Sequence, residues 1–164
     1  MADMYMSKRK DILYLAGIIL LCFIAGAFGS LFTYRSLATW YKQLYKPPFQ
    51  PPNWVFAPVW TFLYLSMAVS FWLVWKKRNV ENIKSLTVLF FIQVILNALW
   101  TPLFFGWHQV FPAFLLLLVL TILVGAYALH SWKVSKPASL LFLPYWLWLC
   151  FASYLNFTIW LGNK

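Results

Sequence analysis

The sequence predicts an all-α integral membrane protein, one domain (1–164) built as a bundle of five transmembrane helices. Three observations carry that prediction. Of the 164 residues, 63% are hydrophobic and only 10% are charged, whereas a soluble domain carries about 25%. Five apolar runs are each long enough to cross about 30 Å of hydrocarbon at about 1.5 Å per residue. The charges fall between these runs, not inside them.

The first run, Ile12–Phe32, follows Lys8, Arg9 and Lys10. With Ala25-Gly26-Ala27 it shares features with a cleaved signal peptide, but the apolar run continues through Phe28 to Phe32, so a retained helix is expected. The second and third runs are Val55–Trp75 and Leu86–Phe105. The fourth, Val110–Leu129, is almost featureless from Leu115 to Leu120 and reads as lipid-facing. The fifth, Ala138–Leu161, contains Pro144, which frees the carbonyl of Leu140 and is expected to bend the helix. No strand-like alternation competes, and a bilayer admits only helices or closed barrels.

Five spans put the two ends of the chain on opposite sides. Lys8, Arg9, Lys10, Lys76, Lys77, Arg78, Lys84, Lys133 and Lys136 gather on the side of the N-terminus, against Arg35, Lys42, Lys46 and Lys164 on the other. That asymmetry predicts a cytoplasmic N-terminus if the membrane is a bacterial cell membrane. The net charge of +10 is thereby accounted for by topology, and no nucleic-acid partner is expected. The outward loop, Thr33 to Asn53, carries Pro47, Pro48, Pro51 and Pro52 among aromatic residues. Prolines remove backbone donors and favour extended geometry, so a stiff lid over one mouth of the bundle is expected, an interfacial anchor being the simpler alternative.

Catalytic and metal chemistry have few candidates. The only acids, Asp3, Asp11 and Glu81, lie at or outside helix ends, as do His108 and His130. Cys22 and Cys150 sit in apolar runs and read as inert packing residues. No metal site, cofactor or acid–base catalytic group is expected, and the lack of intramembrane charge argues against a proton-coupled transporter. The interior instead holds stripes of aromatic, amide and small residues. Trp60, Tyr64 and Met67 share a face of the second helix. Gln93 and Asn97 stack on the third, with Trp100 and Phe104 beside them. Pro144, Trp148, Ala152 and Asn156 form a four-residue stripe on the fifth, and Gly26, Gly29 and Ser30 a small-residue face on the first. Small residues and amides commonly serve close packing and cross-helix bonding in lipid. Mid-span indoles need a better reason, because their N–H requires a partner.

These residues resemble a known family. Trp40-Tyr41, Leu44, Lys46-Pro47, Pro51-Pro52, Trp54, Pro58-Val59-Trp60 and Leu63-Tyr64 are similar to the signature of translocator proteins, the tryptophan-rich sensory or peripheral-type benzodiazepine receptor family. Asn97, Trp100, Pro102, Phe104-Phe105-Gly106, Pro144-Tyr145, Trp148, Phe151-Ala152, Leu155-Asn156 and Trp160 continue it in order. The resemblance implies a five-helix, often homodimeric membrane receptor or carrier of tetrapyrroles such as protoporphyrin IX, sterols and benzodiazepine-type ligands. Alternatives it also implies are light-dependent protoporphyrin degradation in the same pocket, with Trp60 and Trp148 as the oxidisable groups, and transport of a tetrapyrrole or sterol. Carried over by position, the ligand-binding residues are Ser30, Trp54, Phe56, Ala57, Trp60, Tyr64, Asn97, Trp100, Trp148, Ala152 and Leu155. There are two departures. No basic residue follows Tyr154 until Lys164, outside the spacing of the mammalian cholesterol-recognition pattern, which argues against sterol binding. Pro112 replaces a pocket Trp of mammalian members, which implies altered drug affinity.

Overall fold

Away from water the backbone must satisfy its own polar groups, and helices do this within one segment. The computed structural model describes residues 2–79 and 83–164, with side chains from Arg9 onward, and no strand occurs among them. The side chains of Asp3 and Lys8, and the whole of Glu81, lie outside the described residues. Helix α1 is Ala2–Leu37, and α2 is a short turn, Trp40–Gln43. A 3-10 turn, Asn53–Val55, leads into α3, Phe56–Trp75. Helix α4, Lys84–Thr101, runs into a π turn, Pro102–Gly106, and α5, Val110–Val134, and α6, Lys136–Gly162, follow. Five of these helices are long and apolar enough to cross a membrane.

The helices outrun the apolar stretches. The loop expected from Thr33 begins only after Leu37, and α5 continues past Leu129 to Val134. A polar side chain ends an apolar run without ending a helix, because it can bond back to the preceding turn. His130 does so through Nδ1 to the Ala126 carbonyl at 2.8 Å, and Thr33 Oγ1 donates to the Gly29 carbonyl at 3.4 Å. Pro144 does not interrupt α6.

The five long helices close a ring. Helix α1 packs against α3 and α4, α3 against α6, α6 against α5, and α5 against α4. Hydroxyl groups join neighbours where lipid supplies no hydrophobic drive. Ser70 Oγ donates to the Ala138 carbonyl at 2.7 Å and Ser139 Oγ to the Ala128 carbonyl at 2.6 Å. Ser66 Oγ donates to the Leu141 carbonyl, beside the Leu140 carbonyl that Pro144 leaves without its helical donor.

The two halves of the bundle differ. Towards the basic end the interior is packed solid. Phe71 stacks on Phe90 with centroids 4.1 Å apart, and Tyr127 meets Phe142 at 4.1 Å. One expectation is corrected here: α5 is not simply a lipid-facing helix. Leu117, Leu120, Val124 and Tyr127 are buried along one face, while Leu118, Val119 and Ile122 face outward. A run made almost entirely of leucine hides that periodicity from the sequence. Towards the loop end the ring is not filled, and the space lies between all five long helices.

Candidate ligand cavity

That space is a partly open cavity of about 400 Å³, within the range of small-molecule sites. Helix α1 contributes Gly26, Gly29 and Ser30, whose small size leaves room for the cavity. A Cβ on Gly26 would overlap the Tyr64 ring, with Cζ and Oη at 2.8 Å, and one on Gly29 would meet Thr101 Oγ1 at 2.8 Å. The small-residue face therefore serves close packing and cavity shape together.

From α3 come Phe56, Ala57, Trp60 and Tyr64. Their order follows helical spacing from the mouth inward, and Trp60 lies against Tyr64 at 5.3 Å. Met67, one turn deeper, is in the packed core. Helix α6 faces them with Trp148, Ala152 and Leu155, and Trp148 meets Phe56 edge-on at 5.8 Å. The wall from α4 holds Asn97 and Trp100. Ten of the eleven positions singled out from the sequence thus share one cavity wall. Trp54 does not. It is 74% exposed on the 3-10 turn, whose geometry turns its ring outward.

Polar groups in the wall divide into tied and free. Trp100 Nε1 donates to Asn156 Oδ1 at 3.3 Å, and Asn156 Nδ2 donates to the Val110 carbonyl at 2.8 Å, joining α4, α6 and α5. Trp100 stacks on Phe104 at 5.1 Å. Asn97 is only 8% exposed yet makes no hydrogen bond among the described residues. The indole N–H groups of Trp60 and Trp148 are likewise unbonded there. Gln93, one turn below Asn97, is fully buried and does not reach the cavity, and neither end of its amide has a partner among the described residues. The cross-helix bond anticipated for it is not made. The lining holds no acid, histidine, cysteine, lysine or arginine among the described residues, so the wall offers stacking surface and a few hydrogen bonds.

The cover differs from the expected proline lid. Pro47–Pro52 contribute nothing to the lining, which is closed instead by Leu37, Tyr41 and Asn53. Tyr41, on α2, is buried against Phe104 and Phe105. Burial pushes its hydroxyl above the usual phenol range, against the effect of the neighbouring Gln50 side chain. Trp40 stacks on His108 at 4.1 Å. His108 itself has φ 56°, the left-handed backbone that lets the π turn reverse into α5. The sequence stripe Trp148–Ala152–Asn156 already pointed to Asn156, and Tyr41 belongs to the Trp40-Tyr41 motif, whereas Thr101 and Leu117 carry no local signal and join the wall only through tertiary packing.

The family model described as TspO/MBR family matches residues 18–161. The tryptophan-rich protein TspO of Chlorobaculum tepidum is 44% identical, covering 92% of this chain and 96% of that protein. The protein of the same name from Archaeoglobus fulgidus is 40% identical, over 93% and 99%. The translocator protein of Homo sapiens is 36% identical, over 87% and 83%.

Proposed function

Because the chain belongs to the TspO/MBR family, we propose that it is a multi-pass membrane receptor or carrier that binds a flat tetrapyrrole such as protoporphyrin IX in the cavity. The observation that carries this reading is the wall itself: two unbonded indoles, Trp60 and Trp148, and a buried, unbonded amide, Asn97, turned to one space. Indole faces suit a planar aromatic ligand, and an amide that faces the cavity and bonds nothing in the protein is an anchor for a ligand carbonyl or pyrrole nitrogen. Light-driven degradation of the porphyrin is the second reading, favoured by those same two oxidisable indoles.

Titration of the purified protein with protoporphyrin IX, followed by tryptophan quenching, tests the binding. Asn97→Leu is expected to weaken affinity by about tenfold, the loss of one hydrogen bond to the ligand. The same substitution is expected to leave thermal stability unchanged or raised, since it removes an unpaired buried amide. Unaltered affinity in this variant would remove the amide from the site.

The reading includes a homodimer in a bacterial cell membrane with a cytoplasmic N-terminus. Its orientation rests on the cation asymmetry. At the basic end, Lys76, Arg78 and Lys136 lie over Trp72, Trp75 and Trp132 at 4.6, 5.1 and 5.6 Å, the pairing expected of headgroup-zone residues. A phosphatase reporter fused after Lys164 is expected to be active outside the cell. A cytoplasmic signal there would reverse the assignment.

A further inference from the structure

Beyond α2 the first loop is held at a few points. Pro47 is buried and Leu44 packs against the cluster of Tyr41 and Phe104, but Phe49 is 75% exposed and Tyr45 is 58% exposed, so burial does not hold Tyr45 in place. Among the described residues, local hydrogen bonds join 44–52 to α2 and to the 3-10 turn, and one pair joins it to a segment distant in sequence. Asn163, just past α6, accepts from the Tyr45 backbone N–H through Oδ1 at 2.9 Å and donates from Nδ2 to the Tyr45 carbonyl at 3.1 Å. Its amide pairs with the Tyr45 peptide as a neighbouring strand would. A further bond from Nδ2 to the Ile159 carbonyl at 2.7 Å fixes the side chain on its own helix.

Gly162 completes the arrangement. The Tyr45 ring lies directly on it, and any Cβ there would overlap the ring, with Cγ and Cε1 at 3.0 Å. A side chain at 162 would therefore lift Tyr45 and break the pairing. The clasp lies four residues after Tyr41, which covers the cavity, and four residues after Ile159, which lines it from α6. It consequently ties the covering turn to the helix that carries Trp148. Two water-accessible hydrogen bonds are individually weak, so the tie can open and reclose without unfolding either partner.

We propose that Asn163 and Gly162 form a latch on the loop, so that ligand exchange through the mouth of the cavity requires the Tyr45–Asn163 clasp to open. Asn163 is then a positioning residue that sets exchange rates without touching the ligand. This rests on the reading that the cavity binds a tetrapyrrole.

The test uses the full chain in nanodiscs, with protoporphyrin IX as the probe. In Asn163→Ala and Gly162→Val the Tyr45 amide is expected to lose its protection from hydrogen exchange. Association and dissociation rates are both expected to rise by at least about fivefold, with Kd nearly unchanged, as expected when two weak bonds are lost from a gate and none from the site. In a Cys150→Ser background, Tyr45→Cys and Asn163→Cys joined by a short bis-methanethiosulfonate, which forms a disulfide with each thiol and releases methanesulfinate, are expected to slow both rates, reversibly on reduction. Bridged protein exchanging ligand at the wild-type rate would overturn the latch. So would an unaltered Tyr45 amide in Asn163→Ala, a measurement that needs no ligand. Failure of the wild-type protein to bind porphyrin at all would instead count against the functional reading alone.

Discussion

Replacing Trp60 and Trp148 together with alanine is expected to abolish measurable protoporphyrin binding while the bundle still folds. Each indole borders the cavity and is only partly buried where it packs against the core, and neither makes a hydrogen bond among the described residues. Truncation therefore removes ligand surface without orphaning a protein group. Stacking and lost area are worth about 2 kcal/mol per indole, roughly 30-fold in affinity. The two losses will not simply add, because both rings hold one ligand. Phenylalanine distinguishes binding from photochemistry. Trp60→Phe and Trp148→Phe keep an aromatic face, so much of the affinity is expected to survive. Phenylalanine is harder to oxidise, so any light-driven loss of porphyrin is expected to fall much further than affinity does. A parallel fall in both would make the tryptophans positioning groups only. Full binding in the double alanine variant would place the ligand elsewhere.

What the sequence revealed and what it hid follow from the same physics. Hydrocarbon thickness and backbone satisfaction leave five apolar runs no other local solution, so the number and type of the long helices were legible. Helical spacing also placed Trp60 with Tyr64, and Trp148 with Ala152 and Asn156, on shared faces. Trp54 shows the limit of that reasoning. It precedes Phe56 and Ala57 by two and three residues, but it sits on the 3-10 turn before the helix and is exposed outside the cavity. Helix α5 shows another. When both faces are leucine, hydrophobicity no longer marks the inner one, and Leu117 reached the wall unannounced. The loop shows a third. Its prolines suggested the cover, whereas Tyr41 provides it, because the cover is selected by contacts with Phe104, Phe105 and Ile159, distant in sequence.

Gly26→Leu is expected to collapse the cavity, and Gly17→Leu, on the same helix, to do nothing of the kind. A Cβ at Gly17 has no neighbour within 4 Å, so leucine there meets only lipid and gains the helix propensity that glycine lacks, about 1 kcal/mol. At Gly26 the added atoms overlap the Tyr64 ring. That ring has no simple retreat, being flanked by Trp60 at 5.3 Å and Phe23 at 5.8 Å. Either α1 moves away from α3, or Tyr64 is driven into the cavity it now lines. Overpacking of this kind costs about 1–3 kcal/mol, read as a lowered Tm, and both responses destroy the slot between Tyr64 and the facing helix. Porphyrin affinity is expected to drop by at least about tenfold, the equivalent of 1.4 kcal/mol. Tyr64→Ala supplies the decisive comparison, since it removes the group that leucine strikes. In the Gly26→Leu, Tyr64→Ala double variant, stability is expected to recover towards that of Tyr64→Ala alone, a coupling that only neighbours in contact show. Independent, additive losses in the double variant would mean that α1 does not approach α3 through Gly26, and the cavity wall would have to be redrawn.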